Sequence, residues 1–214
     1  MKVKYLAHAC FLITSKDGVK IITDPYEKGA YGGIHYDEIE EEADIVTISH
    51  DHADHNAVHK IKGSPKVIKE PGEYEVKGIK IKGIKTYHDE KGGKERGENI
   101  VYVFEIDNFR IAHMGDLGEI LSDEKLKQIG KVDIILIPVG GYFTIDAKQA
   151  TQIIKKIKPK IVIPMHYKTT KCDFPIAPVE DFIKDKDKVI KFGCEVNIEE
   201  LPENQEIWVL RHAK

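Results

Sequence analysis

A dense group of histidines directly after a run of β-branched residues is the feature that most restricts the fold of this chain. Residues 45–48 (Ile-Val-Thr-Ile) show no polar face, which predicts a short β-strand buried on both sides. His50, His52, Asp54 and His55 follow at once in the pattern His-x-His-x-Asp-His. On a tight turn that leaves a strand, the first two histidines can point the same way, and Asp54 and His55 can face a point nearby. The fold therefore has to place this turn at the end of an interior strand.

The donor types in this group indicate a transition-metal site. Neutral imidazoles with one carboxylate suit zinc or iron-like ions, whereas calcium and magnesium prefer sites built from oxygen ligands. A single histidine is more often a surface or core residue than a metal ligand. Four possible ligands within six residues favour metal binding over that alternative.

Hydrophobic periodicity and turn residues predict strands early in the chain and strand–helix alternation later. Strands are expected at 3–6, 10–14, 20–23, 45–48, 67–69, 78–86, 101–106, 110–112, 132–138, 161–163 and 206–210. Helices are expected after the histidine cluster as far as Lys60, at 123–129 behind the N-cap Ser122, at 147–157 behind Asp146, and at 178–183. This order predicts two mixed β-sheets packed face to face with helices outside.

Composition favours a folded protein without the usual features of nucleic-acid or membrane binding. The 214 residues are 41% hydrophobic and 32% charged, and the net charge of −3 leaves no basic surface for duplex nucleic acid beyond a local groove. The longest apolar run, 134–139, is far shorter than the roughly 18 residues of a spanning helix. Cys10, Cys172 and Cys194 form no Cys-x-x-Cys pair, and the first residues carry no signal-peptide pattern. We therefore expect a cytoplasmic protein with reduced thiols and no membrane partner.

Motifs along most of the chain resemble those of the metallo-β-lactamase superfamily, in particular its ascorbate-6-phosphate lactonase-like branch. Besides His-x-His-x-Asp-His, these motifs are residues 8–13 (His-Ala-Cys-Phe-Leu-Ile), 23–25 (Thr-Asp-Pro), 86–89 (Thr-Tyr-His-Asp), 96–99 (Arg-Gly-Glu-Asn), 113–116 (His-Met-Gly-Asp) and 163–166 (Ile-Pro-Met-His). Many members of this branch are known only as predicted zinc-dependent hydrolases. The resemblance implies an α/β fold, the four-layer αββα sandwich, formed as a single domain by residues 1–214.

The resemblance also implies two divalent metal ions, with zinc expected and manganese or iron as alternatives. One ion would be held by three histidines and the other by a carboxylate and two histidines, with one aspartate bridging. The implied ligands are His50, His52 and His88, then Asp54, His55 and His166, and the bridging Asp116. Asp54 is the implied catalytic residue, which would orient a hydroxide shared by the metals and accept or relay its proton. That hydroxide would attack a carbonyl or phosphoryl centre.

His113 is a rival to His88 as the third histidine of the first metal. It precedes Asp116 by three residues, roughly 10 Å along an extended chain. Both side chains reach one metal pair only if the chain turns sharply at Gly115. We therefore prefer His88 as the ligand and expect His113 to support the site or to lie in the core.

Two other residues of these motifs each have two interpretations. His8 either lies at the rim of the site, contacting substrate or orienting a ligand, or it is a hydrogen-bonded structural histidine. Asp24 either accepts a hydrogen bond from a ligand imidazole or shapes the turn at Asp24-Pro25. The remaining histidines, His35, His59 and His212, have no supporting context and are expected to be exposed to solvent.

The function that this resemblance implies is hydrolysis of a small, anionic ester, lactone or phosphoester. Arg96, Lys168 and Lys171 are candidates to bind the anionic group, although each is also typical of a solvated surface. A phosphodiesterase or nuclease acting on RNA is the first alternative, but 214 residues leave little room for the inserted domain of the nuclease branch. A di-iron redox protein is disfavoured because His52 stands where the flavodiiron motif has glutamate. A non-catalytic binding module is disfavoured because all seven expected ligand positions are filled.

Overall fold

The computed structural model describes all residues from Met1 to Lys214 and contains fourteen β-strands and three α-helices. The strands are β1 (Lys2–Ala7), β2 (Cys10–Thr14), β3 (Lys20–Thr23), β4 (Ile45–Thr47), β5 (Lys66–Ile68), β6 (Gly72–Val76), β7 (Ile79–Tyr87), β8 (Glu98–Ile106), β9 (Phe109–His113), β10 (Ile134–Pro138), β11 (Ile161–Met165), β12 (Val189–Phe192), β13 (Glu195–Asn197) and β14 (Glu206–Leu210). The helices are α1 (Asp123–Ile129), α2 (Ala147–Ile157) and α3 (Val179–Ile183). None of the three is long and apolar enough to cross a bilayer.

The strands form two mixed sheets. The first sheet has six strands in the order β13-β1-β2-β3-β4-β5, and the second has eight in the order β12-β14-β11-β10-β9-β8-β7-β6. In the first sheet, β3, β4 and β5 are parallel while the other pairs are antiparallel. In the second, β9 to β12 and β14 are joined by parallel pairs, and β6 to β9 by antiparallel pairs. This confirms the expected sandwich of two mixed sheets.

Side chains alternate between the two faces of the first sheet, so its apolar residues belong to two separate cores. Phe11, Ile21 and Ile45 belong to the large cluster that also holds the buried residues of the second sheet. Their chain neighbours Ile22 and Val46 belong to a smaller cluster on the opposite face. Because side chains of a strand point alternately to its two faces, β3 and β4 are buried on both sides, as the β-branched run predicts.

The covering layers on the two sides differ. Apolar residues of all three helices join the large cluster, and α2 begins at the N-cap Asp146 with a reciprocal capping box to Gln149. The outer face of the first sheet is instead covered by residues 26–43, which contain only the 3-10 turn Ala30–Gly32, and by residues 172–176. Ser122 and Asp146 are N-caps as predicted, with backbone N–H groups donating to both side chains.

One predicted helix was wrong, and three strands were not predicted. The helix expected between the histidine cluster and Lys60 is a single turn, in which the His52 carbonyl accepts from His55 and Asn56, followed by a 3-10 turn, Val58–Lys60. Strands β6, β12 and β13 were not predicted, because each is only three to five residues long and β6 and β13 also carry few apolar residues. Each lies at or next to a sheet edge, where one face and one row of backbone groups can meet water.

Strand direction explains how residues far apart in sequence reach one place. In the first sheet β1, β3 and β4 run the same way, and in the second sheet β7, β9, β10 and β11 run the same way. The carboxyl ends of these strands therefore lie at one edge of each sheet. The residues that follow them include all seven predicted metal ligands, together with His8 and Asp24.

Candidate metal centre

Four imidazoles surround one carboxylate oxygen, Oδ2 of Asp116. The Nε2 atoms of His55, His166, His88 and His50 lie 3.2, 3.3, 3.4 and 3.9 Å from it. His50 and His55 come from the turn after β4 in the first sheet, whereas Asp116, His88 and His166 follow β9, β7 and β11 in the second. The site is therefore assembled across the seam between the two sheets.

Two groups of donor atoms around Asp116, with no residue in common, are each compact enough for one ion. In one group, ligand atoms of His50, His52 and His88 all lie within 4.8 Å of one another. In the other, those of Asp54, His55, His166 and also His8 do so. The structure thus brings together all seven residues that the motifs predict. Their role as ligands stays a prediction.

Unpartnered polar atoms at this point fit a cation. His50 Nε2, His55 Nε2, Asp54 Oδ1 and Asp116 Oδ1 are all buried, and none has a hydrogen-bond partner. Buried polar atoms in proteins are nearly always paired. Imidazole nitrogens and carboxylate oxygens are the donors that zinc and related ions accept, so the residues present fit a metal centre.

A buried hydrogen-bonded chain orients two of the imidazoles. Asp24 accepts from the Ser49 hydroxyl at 2.5 Å, from the Ser49 backbone N–H at 2.7 Å, and from His55 Nδ1 at 3.1 Å. The Ser49 oxygen in turn lies 2.8 Å from His50 Nδ1. Because the Ser49 proton goes to Asp24, both imidazoles donate through Nδ1, so Nε2 of each ring is the atom that faces Asp116 and can bind a metal. This favours the first of the two interpretations of Asp24.

Burial and close contact set the charge states of the site. Burial lowers the pKa of His50 well below its usual value and that of His88 to about 4, so both rings are neutral near pH 7. Burial raises the pKa of Asp54 and Asp116, but neighbouring imidazoles outweigh it and hold both carboxylates below their usual range. His55 differs: burial lowers its pKa, yet the two carboxylates raise it well above its usual value. A positive charge is favoured beside His55, from a proton or from a metal ion.

His8 supports the second group through both its ring and its backbone. Its Nε2 lies 3.0 Å from Asp54 Oδ2, and its ring centroid lies 4.1 Å from that of His166. Its carbonyl accepts from the His166 backbone N–H at 2.9 Å and from the Tyr5 hydroxyl at 2.9 Å. The residue is 1% exposed and has a φ of 58°, an uncommon conformation for a non-glycine residue. Of the two interpretations of His8, the structure favours a residue that orients a candidate ligand.

One close backbone approach and one side-chain amide position His88 and Asp116. The Asn99 side chain accepts from the Asp116 N–H at 2.9 Å and donates to the Thr86 hydroxyl and the Met114 carbonyl at 2.8 and 3.0 Å. Gly118 lies so close to the backbone of His88 that a Cβ atom there would overlap it. The motif at 96–99 includes Asn99, but nothing in the sequence identifies Gly118, because the contact depends on how two distant turns pack.

The other histidines lie outside the donor groups. His113 is buried, and its Nε2 bonds the Ala9 carbonyl at 2.8 Å, which agrees with the preference for His88 over it. His35 and His59 are exposed, as expected. His212 is only partly exposed because its ring packs against Tyr36, with 5.1 Å between ring centroids.

A pocket of about 360 Å³ opens onto the donor groups. Five candidate ligands and four other residues line it: His52, Asp54, His88, Asp116, His166, Tyr31, Arg96, Phe143 and Phe174. Of the three predicted anion-binding residues only Arg96 is present. Lys168 donates to the Phe174 carbonyl, and Lys171 bonds Asp37. The aromatic residues were not predicted, since no local pattern marks them.

Comparison with known proteins reveals extensive similarity to metal-dependent hydrolases. Residues 2–166 match the beta-lactamase superfamily domain. A UPF0173 metal-dependent hydrolase of Thermococcus onnurineus is 33% identical over 194 residues, covering 79% of this chain and 85% of the relative. One of Pyrococcus abyssi is 30% identical over 219 residues, covering 89% and 95%. Among solved structures, a candidate Zn-dependent hydrolase of the metallo-beta-lactamase superfamily from Thermotoga maritima has a TM-score of 0.83 and 38% identity, covering 98% of this chain and 97% of that chain.

Proposed function

The chain belongs to the metallo-β-lactamase superfamily, in which it is a metal-dependent hydrolase, and we propose that it acts with two divalent ions, zinc in the first place. The proposed ligands are His50, His52 and His88 for one ion and Asp54, His55 and His166 for the other, with Asp116 between them. The observation that carries this proposal is the gathering of four Nε2 atoms around Asp116 Oδ2, with a compact donor group on either side.

The protein groups around this centre have separate tasks in hydrolysis. When bound, the two ions would bring the pKa of a shared water near neutrality and polarise the bond under attack. Asp54 lines the pocket and is held by His8 through Oδ2, which would fix its carboxylate where it can hold an ion, orient the attacking water and relay its proton. Asp24 and Ser49 keep His50 and His55 in the tautomer that binds a metal through Nε2.

Zinc is proposed because the donor set combines five imidazoles with two carboxylates, and manganese and iron are the alternatives. The pocket of about 360 Å³ is at the small end of the range for small-molecule sites, so we propose a small substrate. The attacked atom would be a carbonyl carbon or a phosphoryl phosphorus. Action on RNA is less favoured because Arg96 is the only arginine or lysine that lines the pocket. Three free cysteines fit a reducing compartment, and we propose the cytoplasm.

Metal content is the direct test. The protein is purified without chelator and its metals are measured by inductively coupled plasma mass spectrometry. We expect about two equivalents in the unaltered chain, about one in His50→Ala, and less than one in Asp116→Ala, since Asp116 contacts both groups. The control is His59→Ala, because His59 is exposed and lies outside both groups.

If reconstitution with zinc, manganese and iron leaves the unaltered chain without metal, the proposal fails. Should two equivalents be found, the loaded protein is tested on lactones, carboxylic esters and phosphodiesters, including short RNA. Faster cleavage of RNA than of every small substrate would overturn the small-molecule assignment.

A further inference from the structure

Arg96 is a cation at the pocket wall that the protein itself does not neutralise. Its guanidinium makes no hydrogen bond and no ion pair with another residue, and its central carbon lies 5.8 Å from the ring centroid of Phe143. When an arginine lies over an aromatic ring, the flat face of the guanidinium contacts the ring, and the N–H groups at the edge of the guanidinium remain free. These donors suit a planar carboxylate or a phosphate.

The loop that carries Arg96 is held by a single buried carboxylate. Asp89 is 2% exposed and accepts four backbone N–H groups at 2.8–2.9 Å, those of Lys91, Gly93, Glu95 and Arg96. Asp89 directly follows the candidate ligand His88, whose own N–H donates to the Gly97 carbonyl at 3.1 Å. The turn that presents a metal donor therefore also determines where Arg96 stands.

An aromatic wall continues from Phe143 around the mouth of the pocket. The ring centroid of Phe174 lies 5.7 Å from that of Phe143 and 6.5 Å from that of Tyr31. Phe174 is seated against Gly33, where a Cβ atom would clash with its ring. The Tyr31 hydroxyl accepts from the Ala53 N–H at 3.3 Å, so the wall is joined to the loop that carries the candidate ligands. Tyr31 is nevertheless 67% exposed, which leaves its ring available for contact.

We propose that this pocket binds substrates that combine an anionic group with a flat apolar body. The carboxylate or phosphate would pair with Arg96, and the apolar body would lie against Phe143, Phe174 and Tyr31. Its scissile bond would then lie on the side of the pocket lined by Asp54 and Asp116. This assignment rests on the proposed hydrolase function, but it concerns residues that are not candidate metal ligands.

The test uses three probes of similar shape: phenylacetate, phenyl phosphate and the neutral 2-phenylethanol. Their binding to the zinc-loaded protein is measured by isothermal titration calorimetry for the unaltered chain and for Arg96→Gln. Loss of a charge-assisted pair is expected to weaken binding of both anions at least about tenfold and to leave 2-phenylethanol unchanged. The anion that loses more affinity in Arg96→Gln identifies the carboxylate or the phosphate as the group that Arg96 prefers.

Two further variants serve as controls for the Arg96 subsite. Lys171→Gln removes an equal charge outside the pocket and should change none of the affinities. Phe174→Ala should weaken all three aromatic probes but not acetate. Equal anion binding by Arg96→Gln and the unaltered chain overturns the proposed subsite.

Metal analysis of the same samples separates this result from a failure of the hydrolase proposal. A chain without metal would contradict the proposed function. The comparison of Arg96→Gln with the unaltered chain can then be repeated on metal-free protein. Equal affinity of the two proteins for the anions would overturn the subsite as well.

Discussion

Replacing His8 should weaken one metal position and leave the other intact. Its ring bonds Asp54 Oδ2 at 3.0 Å, and both residues are buried, at 1% and 6% exposure. A hydrogen bond to a charged group contributes about 1.5–3 kcal/mol. Loss of a residue that supports a metal ligand typically lowers affinity about 10–100-fold, or about 1.4–2.8 kcal/mol, so the two estimates agree. In His8→Leu, we expect the ion held by Asp54, His55 and His166 to bind 10- to 100-fold more weakly by this reasoning.

His8→Gln is the matched variant for this experiment. The positive φ of residue 8 should strain the backbone of leucine and glutamine to a similar extent. Only glutamine, however, can donate an N–H to Asp54. Zinc is titrated into each metal-free protein in competition with a chromophoric chelator, which resolves the two binding steps without any substrate. His8→Gln should recover most of the lost affinity. Two zinc ions bound to a folded His8→Leu protein with unaltered affinity, or equal weakening of both steps, would refute the reasoning.

Three further predictions concern the turns that support the site. Gly118→Ala should lower stability by about 1–3 kcal/mol in urea unfolding because its Cβ overlaps the His88 backbone, whereas Gly193→Ala, with nothing within 4 Å, should not; equal effects would contradict this. Asn99→Ala should cost about 1–3 kcal/mol, since it leaves the buried Asp116 N–H unpaired, and an unchanged unfolding midpoint would contradict it. Although burial raises the pKa of Asp89, backbone N–H donors lower it to about 2. Ionised Asp89 thus stabilises the fold above its unfolded pKa of about 3.9, and this stabilisation is lost as pH falls toward 2. The deficit of Asp89→Asn in metal-free protein should therefore shrink between pH 4 and pH 2, and a constant deficit would show that the charge is not responsible.

The turn that carries His50, His52, Asp54 and His55 could be predicted because the information is local, whereas the grouping of all seven candidate ligands was implied by the resemblance to the superfamily. A β-branched run followed by His50, His52 and His55 defines a strand and its terminal turn within about ten residues. The capped starts of α1 and α2 are equally local, since Ser122 and Asp146 act on the next three residues. The superfamily expected from these motifs is confirmed by the comparisons.

What could not be predicted depends on contacts between distant segments. The role of His8 depends on its contact with Asp54, which is 46 residues away in the sequence. The role of Gly118 depends on its close approach to the backbone of His88. The aromatic wall joins Tyr31 with Phe143 and Phe174 from the far half of the chain. Periodicity also fails at the sheet edges, where short strands such as β13 lack an apolar pattern.

The origin of the donors in two different sheets has a consequence for the order of folding. His50 and His55 belong to the first sheet, while His88, Asp116 and His166 belong to the second. A chain in which only the first sheet has formed lacks His88, Asp116 and His166, so neither proposed ligand set is complete in it. Full-affinity capture of both ions should therefore follow docking of the sheets, which is slow when the contacts join distant parts of a chain. The rate of zinc uptake during refolding would then report when the two halves meet.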